Sequence, residues 1–171
     1  AILATKADDF LGDTGDQPFF LMFNFWDCHR DQTGGGPPFP DTRFGLPEDP
    51  VGSDDVSIFP EHGEVDEPNV REEVAGYYNS VKRVDIGIGM LLDVLAKHKK
   101  LDNTMIIFIG DHGPAFSRGK TTTYEFGIKV PYIVRWPGMA KPGLVSEALV
   151  STIDIVPTSM SAAGLEVPSY L

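Results

Sequence analysis

A strongly apolar run that stops abruptly in polar residues is the feature that most constrains the fold of this chain. The run covers residues 105–109 and is followed at once by Gly110-Asp111-His112-Gly113. A short apolar run that ends in this way is typical of a buried strand in a parallel sheet. In open α/β sheets, ligands bind at the carboxyl edge of such strands. The sequence therefore predicts a buried strand that carries an aspartate and a histidine to a ligand-binding edge.

The remaining hydrophobic periodicity predicts helices that alternate with strands. We expect helices at residues 1–13, 70–99 and 151–163, and strands at 19–25, 105–109, 130–135 and 145–150. Proline, glycine and aspartate are frequent in residues 31–69, which predicts a long irregular loop, and residues 114–129 predict a second loop. The alternation predicts an α/β fold with a mostly parallel sheet flanked by helices.

The charge and hydropathy of the chain exclude two classes of partner. The 171 residues include 14 Lys and Arg and 25 Asp and Glu, so the formal net charge is −11. A general nucleic-acid binder needs a basic face, so we expect no nucleic acid partner. No apolar run is long enough to span a membrane, and we expect no membrane partner. An anionic substrate stays open, because a metal ion and one lysine can create a local positive site.

Asp111 and His112 are the first candidate site residues. A carboxylate oxygen and an imidazole nitrogen can share one divalent cation, although further ligands must come from elsewhere. The alternative is that Asp111 caps a turn and His112 makes an ordinary hydrogen bond. The residues alone leave both interpretations open.

Lys120 and His29 are the second pair of candidates. Lys120 follows a glycine, and its ammonium group could neutralise a tetrahedral oxyanion, or it could belong to a solvated basic loop. A nucleotide P-loop is excluded, because Pro114 stands where the first glycine of that motif is required. His29 follows the strand predicted at 19–25, where it could donate to a leaving-group oxygen. Its neighbour Cys28 is expected to be a buried, inert thiol, and His98 a surface residue.

Several stretches, taken in order, resemble the sulfatase family of the alkaline phosphatase superfamily. The stretches that carry the resemblance lie at residues 18–30, 77–89, 103–113, 119–138 and 150–158. Within the family, residues 27–30, 59–60 and 167–170 resemble the heparan N-sulfatase (sulfamidase)-like members. The resemblance covers nearly the whole chain.

This resemblance implies a partial alkaline-phosphatase-like domain over residues 1–171 and a hydrolase of sulfate esters or sulfamates. The implied substrate is a sulfated small molecule or glycan. Asp111 and His112 would be metal ligands, and His29 and Lys120 would be catalytic residues that bind the sulfate and assist the leaving group. Calcium is the usual metal of the family, but imidazole suits calcium poorly, so Mn²⁺ and Zn²⁺ stay open. The implied compartment is periplasmic, secreted or lysosomal, with a cytoplasmic location also open.

The chain departs from the family pattern in two respects. Sulfatases carry an Asp-Asp pair after their first strand and a Cys/Ser-x-Pro/Ala-x-Arg segment whose Cys or Ser becomes formylglycine, and neither occurs here. We therefore expect a fragment that lacks the nucleophile segment and is inactive on its own. Two alternatives remain, namely a phosphoester or phosphonate hydrolase of the same superfamily and a catalytically inactive domain that binds a partner or glycan.

Overall fold

Helices dominate the secondary structure of this chain. The computed structural model describes residues 2–30, 39, 45–62 and 65–171, except for the side chain of His62. These residues form, in order, α1 (Ile2–Thr14), α2 (Pro68–Lys97), β1 (Ile106–Ile109), α3 (Glu125–Ile128), β2 (Tyr132–Arg135) and α4 (Ile155–Ala162). Short 3₁₀ turns lie at Ser53–Asp55, Pro60–His62, Leu101–Asn103 and Thr152–Asp154. The three predicted helices and the strands predicted at 105–109 and 130–135 are confirmed.

The long helix α2 organises the core. Pro68 stands in its first turn, where the fixed φ of proline suits a helix and no amide donor is lost. Apolar side chains then recur every three or four positions along one stripe, which the core buries. The buried cluster contains Phe39, Val56, Val74, Ala75 and Phe116, with Phe59, Tyr77 and Phe126 packed against it. This cluster joins α2 to the chain segments on either side of it.

Helix α1 docks on the carboxyl end of α2. Ala7 and Leu11 are buried, which accounts for the apolar side of α1. Asp8 accepts a hydrogen bond from the ammonium group of Lys97, and His98 Nε2 lies 2.6 Å from Asp8 Oδ1. The expectation that His98 is a surface residue is therefore wrong, because this contact places its ring between the two helices.

The predicted mostly parallel sheet is not seen within the part of the chain that the structure describes. There β1 and β2 pair antiparallel, with Ile106 opposite Arg135 and Ile109 opposite Tyr132. A parallel pair needs a crossover that returns the chain to the starting edge, usually through a helix on the sheet face. The connection between β1 and β2 contains only the one-turn helix α3, so the chain turns back and pairs antiparallel. That helix also interrupts the loop predicted at 114–129.

Two predicted strands do not form. Residues 19–25 and 145–150 have no strand assignment, and their backbone groups make no hydrogen bond to another backbone group among the described residues. Hydrophobic periodicity marks a segment that could pair, but a strand exists only where a neighbouring backbone supplies the partners. The long loop predicted at 31–69 lies partly outside the described residues. No helix among the described residues is long and apolar enough to cross a membrane.

Candidate active site

The polar residues that follow β1 form a pair of adjacent donor atoms. The backbone N–H of His112 donates to Asp111 Oδ1 at 3.0 Å, and His112 Nδ1 lies 2.8 Å from the carbonyl oxygen of Gly113. Because a carbonyl oxygen can only accept, Nδ1 carries the proton and the neutral ring keeps its lone pair on Nε2. That nitrogen lies 3.4 Å from Asp111 Oδ2. The local hydrogen bonds therefore occupy Oδ1 of Asp111 and Nδ1 of His112. Oδ2 of Asp111 and Nε2 of His112 are left next to each other.

This pair fits two neighbouring ligands of one divalent cation. Bonds from nitrogen or oxygen to Zn²⁺ or Ca²⁺ are about 2.0–2.6 Å long, so neighbouring ligand atoms stand roughly 3–3.5 Å apart. Ligating histidines normally donate their second N–H to a carbonyl or carboxylate, as His112 does to Gly113. Within the described residues, no three His, Cys, Asp or Glu side chains come together as a metal site. Asp111 and His112 are thus two ligands and not a complete centre.

Three buried glycines bring the loop after β1 against α3. Gly113 N–H donates to the carbonyl of Gly127 at 2.9 Å. A Cβ on Gly113 would stand 1.8 Å from the carbonyl oxygen of Phe126, and one on Gly119 would stand 2.1 Å from that of Pro114. A Cβ on Gly127 would stand 2.5 Å from the carbonyl oxygen of Gly119. Side chains are therefore excluded at all three positions. We call this close approach of Gly113, Gly119 and Gly127 the glycine crossing, and it fixes the path of the loop.

Lys120 stands inside the loop that the glycine crossing closes. Its backbone N–H donates to the carbonyl of Pro114 at 2.8 Å, and the residue is half-buried. Arg118 and Thr121 on either side have φ angles of 57° and 70°. A left-handed backbone at a non-glycine residue costs on the order of 1 kcal/mol or more and is concentrated at functional sites. The strained backbone on both sides of Lys120 is held by the hydrogen bonds and packing of this loop.

One face of α2 holds the residues that precede and follow His29 in the sequence. Arg83 makes a two-point ion pair with Asp27, with Nε–Oδ2 at 3.0 Å and Nη2–Oδ1 at 2.9 Å, and both side chains are largely buried. Glu73, earlier on the same helix, accepts a hydrogen bond from Arg30. Positions 73 and 83 lie on one side of a helix. The segment on both sides of His29 is therefore fastened to α2.

The turn that carries His29 has a strained backbone. His29 N–H donates to the carbonyl of Trp26 at 3.1 Å, which closes a four-residue turn with Cys28 at its third position. Cys28 has a φ of 66°, a value that turns of this kind normally assign to glycine or asparagine. His29 Nδ1 lies 2.8 Å from the carbonyl oxygen of Arg30, so this nitrogen carries the proton. The neutral ring keeps its lone pair on Nε2, and His29 is exposed.

Arg30 joins the His29 turn to the Lys120 loop. Its Nη1 donates to the carbonyl of Ala115 at 3.2 Å, while its Nη2 donates to Glu73. Ala115 follows the proline whose carbonyl holds the backbone of Lys120. The structure thus brings together the segments that carry two of the predicted catalytic residues. The side chains of His29 and Lys120 make no hydrogen bond or ion pair with each other, both being described.

Cys28 is half-buried, so the burial expected from the sequence is only partial, whereas its raised pKa agrees with the expected inert thiol. Burial raises the pKa of its thiol to about 11, and the Ser80 hydroxyl beside it lowers that pKa by less. The thiolate is the form that attacks electrophiles and binds metals, so a thiol with this pKa does neither at neutral pH. Cys28 is therefore a packing residue of the turn.

Sequence reasoning missed the α2 residues that hold the His29 turn. Ser80 and Arg83 contact the turn, and Glu73 contacts Arg30 directly after it. None of the three was a candidate from the sequence. Ser80 is buried, and position 83 follows it by nearly one helical turn. Polar residues bordering the apolar stripe of α2 were the signal that could have pointed to them.

Comparison with known proteins settles the family. The family model described as Sulfatase matches residues 1–165. The chain belongs to the sulfatase family. It is 33% identical to N-sulphoglucosamine sulphohydrolase of Homo sapiens over 94% of this chain and 34% of that protein. It is 29% identical to steryl-sulfatase of Rattus norvegicus over 98% of this chain and 27% of that protein. Members of the family generally depend on a divalent metal ion.

Solved structures show the same fold. The crystal structure of yidJ from Bacteroides fragilis matches 98% of this chain and 38% of that chain, with a TM-score of 0.68 and 23% identity. The structure of Ps i-CgsB in complex with k-i-k-neocarrahexaose matches 99% of this chain and 35% of that one, with a TM-score of 0.59 and 23% identity. This chain spans about a third or less of the length of the curated relatives it matches.

Proposed function

We propose that this chain supplies the sulfate-binding side and two metal ligands of a sulfatase active site. The reaction is hydrolysis of a sulfate ester or sulfamate. The observation that carries the proposal is the link through Arg30, which joins the turn of His29 to the loop between Gly113 and Lys120. Family membership supplies the reaction class, and this link supplies the reason to assign the reaction to these residues. Residues 1–171 then form one part of a single catalytic domain.

Lys120 and His29 have complementary roles in this proposal. The ammonium group of Lys120 neutralises charge on the sulfate oxygens, which is most valuable where the negative charge grows in the transition state. His29 keeps Nδ1 occupied by the carbonyl of Arg30, so Nε2 is the atom that meets the substrate. In its protonated form the ring donates from Nε2 to the leaving-group oxygen or nitrogen.

Asp111 and His112 are proposed to hold a divalent cation through Oδ2 and Nε2. Such an ion, when bound, withdraws electron density from the sulfate oxygens. Ca²⁺ is proposed as the first candidate, with Mn²⁺ and Zn²⁺ as the ions that imidazole favours more strongly. The two Asp-Asp pairs of this sequence lie in α1 and in the turn Ser53–Asp55 and not after a strand, and the nucleophile segment of the family does not occur in it. In this proposal, residues other than these 171 provide the Asp-Asp pair and the nucleophile segment of the family.

A sulfated saccharide is the proposed substrate. The human relative is named for sulfate removal from a sulphoglucosamine, and the Ps i-CgsB structure contains a carrageenan-type oligosaccharide. The exposed positions of Asp111 and His29 suit a large substrate that approaches from solvent.

The experiment that tests this proposal separates anion binding from metal binding. Sulfate, Ca²⁺ and Mn²⁺ are titrated calorimetrically into the chain and into the variants Lys120→Met and Asp111→Asn. We expect Lys120→Met to weaken sulfate binding at least about fivefold and to leave the metal affinity unchanged, because removing a charge-assisted contact costs about 1 kcal/mol or more. Asp111→Asn should weaken metal binding. Lys129→Met is the matched control, because that lysine is exposed and its ion pair among the described residues is with exposed Glu125.

The proposal fails if Lys120→Met and Lys129→Met have the same effect on sulfate affinity. A turnover assay with 4-nitrophenyl sulfate tests the expectation of inactivity, and hydrolysis by the chain alone would contradict it. An enzyme containing this chain that turned over a phosphate monoester and not a sulfate ester would favour the phosphoester alternative.

A further inference from the structure

Trp26 packs against His29 at the edge of the candidate site. The two ring centroids are 4.9 Å apart, and the ring planes are inclined by 37°. Trp26 is 58% exposed, so the core does not account for its position. Its indole ring instead covers one side of an imidazole that is itself exposed.

The backbone around His29 is arranged to keep the two rings together. The carbonyl of Trp26 accepts the backbone N–H of His29, so the turn itself brings the side chains of its first and last residues into contact. Cys28 takes the strained left-handed position that this turn requires, and its side chain is half-buried. Asp27, the remaining residue of the turn, accepts two hydrogen bonds from Arg83.

The orientation of the His29 ring depends on two contacts. The hydrogen bond from Nδ1 to the carbonyl of Arg30 fixes one edge of the ring. That bond alone leaves the ring able to rotate away, because a single hydrogen bond to an exposed carbonyl competes with water. The packing of the Trp26 indole ring against the imidazole is the second contact.

We propose that Trp26 is a positioning residue for His29. Its indole ring, together with the carbonyl of Arg30, holds the imidazole with the Nδ1–H on that carbonyl. Nε2 then faces the substrate and, when the ring is protonated, is the donor to the substrate anion. This inference rests on the proposed function for the identity of the ligand. The ring geometry that it describes exists without any ligand and can be measured separately.

The alternative role for Trp26 is simple hydrophobic cover, for which any large apolar side chain suffices. Two variants separate these roles. Trp26→Phe keeps an aromatic face, whereas Trp26→Leu keeps apolar volume without one. Phe20→Leu is the matched control, because Phe20 is another exposed aromatic in the same segment and lies outside the turn.

The test measures the tautomer of His29 in the ¹⁵N-labelled chain. Long-range ¹H–¹⁵N correlation spectra at alkaline pH report which ring nitrogen carries the proton. We expect the wild type, Trp26→Phe and Phe20→Leu to hold His29 in the Nδ1–H form. Trp26→Leu should give a mixture, with the ratio of tautomers shifted about 2- to 10-fold, the range expected for loss of one aromatic contact. Amide spectra confirm that the variant remains folded.

Sulfate titration of the same four proteins supplies the functional reading. The titration is run at a pH low enough to protonate the imidazole ring, so that Nε2 carries a donor. We expect Trp26→Leu to weaken sulfate binding there about 2- to 10-fold and Trp26→Phe to restore most of it. An unchanged tautomer ratio in Trp26→Leu would overturn the proposal. So would equal tautomer shifts in Trp26→Leu and Trp26→Phe, which would show that the aromatic face plays no part.

The failure of the proposed function gives a different pattern. In that case sulfate affinity is unaffected by His29→Ala and Lys120→Met, whatever the tautomer measurement gives. A tautomer shift in Trp26→Leu with no change in sulfate affinity would overturn the assignment of Nε2 to the anion.

Discussion

Arg83 of α2 donates two hydrogen bonds to the carboxylate of Asp27, and the two residues are 56 positions apart in the sequence. The side chains are only 10% and 18% exposed, so the pair lies in a poorly solvated environment. Bidentate contacts of this kind fix orientation as well as distance. The turn that carries His29 is therefore positioned by a helix that belongs to the core, and not by its own loop.

Removal of Arg83 should strongly destabilise the chain. The variant Arg83→Met leaves the carboxylate of Asp27 in a largely buried place without its partner, and we expect a loss of about 3 kcal/mol in the free energy of unfolding. Urea denaturation measures this loss. Lys129→Met removes an exposed ion pair and should cost less than about 1 kcal/mol. Equal losses in the two variants would show that the Asp27–Arg83 pair is no more important than a surface pair.

The parts of this fold that follow from the sequence are those that depend on local order. The period of α2, the apolar run of β1 and the polar residues that follow it all lie within continuous segments, so the sequence predicts them. The Asp27–Arg83 pair could not be predicted, because nothing local to either residue marks its partner. The antiparallel pairing of β1 with β2 likewise depends on the path of the chain between them.

The glycine crossing illustrates the same limit at the candidate site. Glycines 113, 119 and 127 each have an ordinary local context in the sequence, and their shared role appears only when the loop is closed. Asp111 was nevertheless identifiable as a candidate because it follows a buried strand, and Lys120 because a glycine beside a charged residue suggests close approach of a ligand. What the sequence could not supply was the way in which Arg30 links the two loops.

Gly127→Ala should test the glycine crossing. A Cβ there would stand 2.5 Å from two carbonyl oxygens, those of Gly119 and Thr122, so the backbone must move. We expect a loss of about 1–3 kcal/mol, the range typical of overpacking, together with chemical shift changes at Lys120. Gly89→Ala is the control, because nothing lies within 4 Å of its Cβ and α2 is helical there. That variant should gain about 0.5–1 kcal/mol. If Gly127→Ala is as stable as the wild type, the crossing does not constrain the loop.

The contact between α1 and α2 should weaken in acid. Hydrogen bonds from Lys97, and then from His98, lower the pKa of Asp8 below its ordinary value of 3.8. Because the folded-state pKa is the lower one, the carboxylate contributes stability fully above 3.8, and this contribution is lost as the pH falls through the folded-state pKa. Urea midpoints of the wild type and Asp8→Asn should therefore differ at neutral pH, approach each other as the pH falls below 3.8 and converge once the pH is below the folded-state pKa of Asp8.

The control for this pH effect is Asp9→Asn. Asp9 belongs to the same helix, and Asp9→Asn changes the net charge by the same amount as Asp8→Asn. Asp9 makes no ion pair with another described residue. We expect its urea midpoint to follow that of the wild type at every pH. A gap between wild type and Asp8→Asn that persisted in acid would mean that packing, and not the charge of Asp8, stabilises the contact.

Native Cys28 should resist alkylation until the turn around it opens. Burial raises the pKa of the thiol from an ordinary 9.0 to about 11, so at pH 8 the folded protein holds about a hundredfold less thiolate than the unfolded chain. Iodoacetamide labelling followed by mass spectrometry should therefore be slow in the native chain, rise with pH towards 11 and become fast in urea. Arg83→Met should accelerate labelling at pH 8, because loss of the Asp27 clamp releases the strained turn, whereas Lys129→Met should not. Rapid labelling of the native wild type at pH 8 would show that the thiol is accessible and that Cys28 does not anchor the turn beneath His29.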